Sequence, residues 1–365
     1  MNERTREILK IGVPAMFEGI STTFANIIDS KMVSSMGLTA ISAVSVTNQP
    51  RYFVLCLFFA INTVISVLVA HHLGAKDRDG ANGVLFSGLI ITIIAGVIFS
   101  TIYVIFARPI MLFCSGQPDT LNDSILYFQI VVGGLIFKLI YLVINAALRG
   151  CGKTRITMIS NLTSCVVNII FNYLLINGNL GFPAMKIAGA ALATVLGNVA
   201  ALFVSAIFAC QKNLYVNLPY IIESRIRVTR KILSEIHNKW YKVAGENLLT
   251  RVGFLIASII AARMGSYDMA IYAIGMHLMN VNFSIGSGFQ TAAIALIGRS
   301  YGAKNLDEIK SYSKEIFRFP ASRKFDTGYI IRTRPLGYMD IYIFIAGNTN
   351  AYSVYKIQEK YIRFD

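Results

Sequence analysis

Residues 82–107 read NGVLFSGLIITIIAGVIFSTIYVIFA, a stretch without one charged side chain. About 20 apolar residues in a helix cross the ~30 Å hydrocarbon layer of a bilayer, so this segment predicts a transmembrane helix. Residues 156–178 (ITMISNLTSCVVNIIFNYLLING) are equally free of charge. The composition agrees with that reading. Apolar residues make up 55% and charged residues only 15% of the 365, with a mean hydropathy of +0.58. Soluble domains carry about 25% charged residues, and a water-soluble fold of this composition would leave too much apolar surface exposed.

Working outward with windows of about 19 residues, eight crossings fall at 8–35, 40–70, 83–107, 123–148, 156–178, 187–210, 239–263 and 268–299. The expected fold is therefore all-α, a polytopic transmembrane bundle. Loop charges set its orientation. Arg4, Arg6 and Lys10 precede the first crossing, and Lys76 and Arg78 follow the second. Arg149, Lys153 and Arg155 follow the fourth, and Lys212, Arg225, Arg227, Arg230, Lys231 and Lys239 follow the sixth. The alternate loops hold only Lys31, Arg108, Lys186 and Arg263. Basic loops stay inside, which predicts a cytoplasmic N-terminus and accounts for the net charge of +15 without a nucleic-acid partner. The five cysteines are scattered, with no CxxC pair.

Residues 1–80 lie on residues 229–308 at a constant offset of 228 without gaps. Met36-Gly37 falls on Met264-Gly265, Gly74-Ala75-Lys76 on Gly302-Ala303-Lys304, Glu18 on Glu246 and Thr22 on Thr250. Both copies begin on the same side, so each repeat is an even number of helices and the repeats are parallel. The organisation expected is a six-helix lobe at 1–210, a cytoplasmic linker at 211–238, a partial second lobe of two helices at 239–317, and an irregular tail at 318–365. The tail carries Arg318, Arg323, Lys324, Arg332, Arg334, Lys356, Lys360 and Arg363. It reads as an aberrant or frameshifted terminus standing where four helices are expected.

Ionisable and amide groups at membrane depth are costly and mark function. Glu18 and Asp29 are eleven residues apart in the first crossing, three helical turns and about 20° more, which puts both carboxylates on one face ~16 Å apart. Asn26 lies one turn before Asp29, and Lys31 lies near it at the outer end. In the fifth crossing Asn161, Cys165, Asn168 and Asn172 recur at spacings of four, three and four, on one side of a helix. Such a row either binds helices together or lines a polar cavity. Gly189, Ala190, Ala191, Ala193 and Gly197 form a close-packing face in the sixth crossing, from which Thr194 can present a hydroxyl. Lys138 lies mid-crossing, as a cavity charge or as the counter-ion of a carboxylate. Glu246 either lines the cavity or is offset by Arg251. His71-His72 point to different sides of a helix and make a poor metal pair. Gly152-Lys153-Thr154 is not a phosphate loop, because Ala147 stands where that motif needs glycine. No Ser/His/Asp or Cys/His constellation is legible, so neither enzymatic chemistry nor a cofactor is expected.

The segments VPAMFEG (13–19), NIIDSKMVSSMG (26–37), LVAHHLGAKD (68–77), ALRGCGKTRITM (147–158), NIIFNYLLING (168–178) and IAGAALAT (187–194) together resemble the multidrug and toxin extrusion (MATE) family, over about residues 5–315. The resemblance implies a twelve-helix exporter of two six-helix lobes in the cell membrane. Such exporters expel small organic cations, often aromatic, in exchange for Na⁺ or H⁺. By the same resemblance Asp29 is the helix-1 aspartate tied to cation coupling, and Asn168 and Asn172 are its polar partners. Thr194 is a threonine lining the site, and Glu246 is a helix-7 glutamate used in some members. A Na⁺ would sit at Asp29, Asn168 and Asn172, with Glu18, Asn26, Asn161, Lys138 and Glu246 as further cavity candidates. Asn172 stands where some members carry Asp, which leaves Na⁺ and H⁺ both open. Two alternatives are a lipid-linked oligosaccharide flippase, which should line its cavity with several Arg or Lys, and a membrane protein that does not transport.

Overall fold

The computed structural model describes residues 3–114, 118–264 and 266–322. They form α1 (Glu3–Ser34), α2 (Leu38–Gly74), α3 (Arg78–Ile105), α4 (Ala107–Cys114), α5 (Pro118–Gly133), α6 (Leu135–Gly150), α7 (Thr154–Asn177), α8 (Lys186–Ala209), α9 (Leu218–Glu223), α10 (Arg230–Met264), α11 (Ser266–Gly302) and α12 (Leu306–Ser322). Among the described residues α1, α2, α3, α7 and α8 are long and apolar enough to cross a membrane. The α5–α6 pair, bent by 42°, adds a sixth if taken as one crossing.

Lipid is the solvent this bundle is built for. Along α3 the small and polar residues Ser87, Gly88, Thr92, Gly96 and Ser100 are buried, while Ile94, Val97, Ile98 and Ile105 are exposed. A soluble helix does the reverse. Small residues let backbones approach inside a membrane bundle, and branched apolar side chains face the acyl chains.

The crossing expected as one helix at 123–148 is two. The Gly133-Gly134 pair supplies the break, and Gly134 packs so tightly on α8 that an added Cβ would stand 2.4 Å from Val195 Cγ2. The linker expected at 211–238 is also more structured than its charge suggested. Arg78 donates to the Leu214 and Tyr215 carbonyls at 3.3 and 3.2 Å, and Asn82 Oδ1 accepts from Asn217 N at 3.0 Å. Asn217 then caps α9 by accepting from Tyr220 N at 2.7 Å. Helix α10 starts nine residues before the expected crossing, because Ile236 is buried and Ile232 and Trp240 pack on the same core.

The repeat is visible in the backbone. Helices α2 and α11 are both 37 residues long, and their first and last residues are 228 apart. After α2, Ala75, Lys76 and Asp77 donate to His71, Leu73 and His72; after α11, Ala303, Lys304 and Asn305 donate to Arg299, Tyr301 and Ser300. Lys76 (φ 58°) and Lys304 (φ 55°) share the left-handed conformation. Gly80 N donates to Asp77 Oδ1, and Glu308 N to Asn305 Oδ1. The copies also touch reciprocally. A Cβ on Gly74 would lie 1.8 Å from the Arg299 carbonyl, and one on Gly302 would lie 1.9 Å from the His71 carbonyl. Reciprocal contacts of this kind define a pseudo-twofold axis running between two parallel copies.

Two helices were expected in the second copy. The described residues add α12, which begins at Leu306 where α3 begins at Arg78, at the same offset. It is amphipathic rather than apolar. Ile309, Tyr312 and Ile316 pack with Ile8, Ile11 and Leu296, and Glu7 of α1 accepts from Arg299 at 3.1 Å and from Tyr312 at 2.5 Å. Residues 318–322, expected in the tail, close this helix; residues 323–365 lie outside the described residues.

Candidate cation site

Helices α1 and α7 run parallel in a fixed register. Thr154 Oγ1 donates to the Ile11 carbonyl at 2.8 Å, Asn161 Nδ2 donates to Glu18 Oε1, and Asn172 Nδ2 donates to Asp29 Oδ1 at 2.6 Å. Each partner stands 143 residues after the residue it contacts. The spacing of eleven between the two carboxylates is thus matched by a spacing of eleven between the two asparagines.

The Asp29 end is an amide network. Asn172 is fully buried. Its Nδ2 also reaches Asn168 Oδ1 at 3.2 Å, and Asn168 Nδ2 points at Thr194 Oγ1 on α8 at 3.5 Å. Thr194 in turn donates to the Ala190 carbonyl at 3.1 Å. Close approach of α7 and α8 makes this possible, since Gly189 and Gly197 sit against the Leu175 and Ser164 carbonyls with no room for a Cβ. Asn172 Oδ1 is buried with no hydrogen-bond partner among the described residues. A buried acceptor left unpaired is expensive, and this one adjoins a carboxylate. Oxygen donors of this kind suit a hard cation.

Two groups that the sequence did not single out complete the surroundings. Arg51 of α2 lies within electrostatic range of Asp29, although no ion pair joins them among the described residues. The buried Tyr127 of α5 is within hydrogen-bonding reach of both Thr194 and Arg51. Neither belongs to a polar stripe. The charge of Arg51 at membrane depth was the only available signal.

The Glu18 end is built differently. Its carboxylate accepts from Thr157 Oγ1 at 2.9 Å and from Asn161, and the Arg149 guanidinium stands 3.7 Å away. Asn161 therefore belongs to Glu18 and not to the Asn168–Asn172 pair, so one stripe on α7 serves two sites. Asn26 is exposed. Although only about 60° of helix rotation separates it from the face of Asp29, it makes no hydrogen bond to Asp29 among the described residues. The alternative in which Asp29 would pair with nearby Lys31 is not formed among the described residues; Asn172 holds the carboxylate instead. Glu246 does not join either cluster, since α10 packs chiefly on α2 and α11. Its suggested offset by Arg251 is not formed among the described residues; Arg251 lies over the Tyr52 ring at 5.4 Å. Lys138 of α6 is half-buried, within electrostatic range of Arg51 and Cys165.

Parallel repeats, lipid-facing helices and a half-buried carboxylate–amide cluster define a polytopic membrane protein of transporter architecture. Residues 14–174 and 243–319 match the MatE family model, and the chain belongs to that family. It is similar to a probable multidrug resistance protein NorM of Thermotoga maritima, 27% identical over 316 residues, covering 84% of this chain and 65% of the relative. It is also similar to the uncharacterized transporter YisQ of Bacillus subtilis, at 24% identity, covering 84% of this chain and 66% of the relative. The chain thus spans just under two thirds of these relatives' length. Among solved structures, an outward-facing multidrug resistance MATE family transporter of the MOP superfamily superposes with a TM-score of 0.82 at 20% identity, covering 95% of this chain and 76% of that one. A MOP superfamily transporter from Pyrococcus furiosus gives 0.77 at 20% identity, covering 93% and 76%. At that identity the likeness speaks for the fold alone.

Proposed function

We propose that this chain carries the cation-coupling half of a secondary antiporter, which exports organic, often cationic and aromatic, drugs or toxins across the cell membrane in exchange for Na⁺ or H⁺. The observation that carries this reading is the half-buried Asp29–Asn172–Asn168–Thr194 cluster, with the buried Asn172 Oδ1 left unpaired among the described residues. Names of relatives that mention multidrug resistance support the substrate class. The basic loops that begin at the N-terminus support a cytoplasmic start.

In this mechanism Na⁺ is held by oxygens of Asp29, Asn172, Asn168 and Thr194, or a proton sits on Asp29. Either event removes the negative charge that holds the Asn172 amide at 2.6 Å. With that bond weakened, α1 can repack against α7 and α8. A ligand shifts a conformational equilibrium by its difference in affinity for the two states. A cation bound more tightly in one state therefore drives the change that releases the drug outward. The units that move are the lobe at 1–210 and the repeat beginning in α10.

The test is Asp29→Asn, assayed as dye efflux from proteoliposomes under an imposed Na⁺ or H⁺ gradient. We expect gradient-dependent efflux to vanish while equilibrium dye binding persists. Retained coupled efflux would falsify the site.

A further inference from the structure

Pseudo-twofold symmetry gives each contact between the copies a counterpart 228 positions away. At the end of the bundle where α1 begins, two such counterparts differ. Glu7 of α1 is held there by the other copy, accepting from Arg299 of α11 at 3.1 Å and from Tyr312 of α12 at 2.5 Å. The counterpart of Glu7 is Glu235 of α10, that of Arg299 is His71, and that of Tyr312 is Val84. The apolar scaffold around them is retained: Ile8 and its counterpart Ile236 are both buried, as are Leu296 and Leu68. The Glu235 carboxylate, in contrast, makes no hydrogen bond or ion pair with any described residue.

A cavity of about 260 Å³ lies where its partners are missing, lined by His71 and His72 of α2, Glu235 and Lys239 of α10, Tyr301 of α11 and Lys304 of the turn after it. Histidine is shorter than arginine and carries no guanidinium, and valine offers neither a ring nor a hydroxyl. The His71 and Tyr301 rings lie 4.7 Å apart between centroids at 34°, an aromatic wall built from both copies. His72 is engaged elsewhere, with Nδ1 2.9 Å from Asp77 Oδ2. Lys239, one helical turn beyond Glu235, forms no ion pair with it among the described residues. Lys10 likewise stands within a turn of Glu7, and Glu7 still takes Arg299.

We propose that this cavity binds a small organic cation of the guanidinium or amidinium class, held by Glu235 with its flat face against the His71–Tyr301 pair. The filled half shows what a carboxylate at this position holds, an arginine fork and a hydroxyl donor. A planar N–H fork meets a carboxylate through two parallel hydrogen bonds, and a cation gains further on an aromatic face. Drug-sized ligands fill about 300–1,000 Å³, so a single-ring molecule suits this space. Its wall comes from α2 of one copy and from α10 and α11 of the other. An occupant therefore ties the copies together as Arg299 does in the other half, and holds this end of the bundle closed. The site is separate from the amide cluster, because Asp29 lies 22 residues beyond Glu7 on α1, ~33 Å along the axis. The proposal goes beyond the antiporter reading and stands without it.

The experiment uses the whole chain in detergent with p-aminobenzamidine and its neutral near-isostere p-aminobenzamide, binding being measured by calorimetry at equilibrium. Wild type should bind the amidine about tenfold more tightly than the amide, and the amidine should raise the melting temperature. Glu235→Gln should bring the two probes to parity. His71→Arg, which supplies the missing guanidinium from the chain itself, should abolish amidine binding and its thermal effect. Glu7→Gln, which loosens the filled half instead, should leave the preference intact. Equal affinity of wild type for both probes overturns the proposal, as does a preference that survives Glu235→Gln. Loss of the preference in Glu7→Gln as well as in Glu235→Gln reports a general loosening of the junction and overturns it. A preference abolished by Asp29→Asn and untouched by Glu235→Gln assigns the probe to the amide cluster and overturns it too.

Discussion

Two carboxylates on α1 meet two asparagines on α7 through the same offset, and yet the two places differ. At Glu18 every charge is answered: Thr157 and Asn161 donate, and Arg149 stands 3.7 Å away. At Asp29 the direct partner is a single neutral amide, and an acceptor beside it stays unpaired. The first arrangement pins α1 to α7. The second leaves room in the hydrogen-bond network for one more cation. The comparison teaches that a carboxylate at membrane depth is not by itself a coupling site; what its neighbours leave unfilled decides.

The comparison can be broken most severely at Glu18. Glu18→Ala leaves Arg149 without its counter-charge among buried groups and should destabilise the protein by about 3 kcal/mol, measured as a fall in thermal stability in detergent. Asp29→Asn, in contrast, keeps the shape of the side chain and should change thermal stability little while removing the stabilisation that added Na⁺ or acid confers. If Glu18→Ala were thermally silent, the division into pin and site would fail. A smaller effect is expected where the repeats touch. Gly302→Ala drives a Cβ into the His71 carbonyl and should cost about 2 kcal/mol of strain, with Gly74→Ala matching it because the contact is reciprocal. Unequal melting shifts for that pair would argue against the pseudo-twofold closure. The smallest effect belongs to Asn26→Ala, within about 0.5 kcal/mol and without change in efflux. A loss of coupling in that variant would return Asn26 to the site from which its exposure removes it.

Much of this was legible before any coordinates. Charge-free segments of crossing length, basic loops on alternate sides and the offset of 228 between MG…GAK segments all follow from the bilayer's fixed thickness, its cost for charge and the chemistry of tight turns. The α7 stripe was legible as a face. Its division was not, because Asn161 and Asn172 lie on the same side of one helix and only the register against α1 sends one to Glu18 and the other to Asp29. Arg149 was read as a loop cation, and the structure folds it back to Glu18. Arg51 and Tyr127 come from α2 and α5, helices whose mutual placement leaves no mark in local periodicity. The break at Gly133-Gly134 was missed because a hydropathy window averages across it.

The sequence by itself determined that the chain lives in a membrane, how its helices are spaced, which alternate loops carry its basic residues and that its beginning is repeated. Those features depend on local composition and on a solvent that acts on each helix separately. Only the tertiary structure decided which polar groups are satisfied and which are left open. Satisfaction is a property of atoms a few ångströms apart on different helices, and the residues of α1 and α7 that meet are 143 positions apart along the chain.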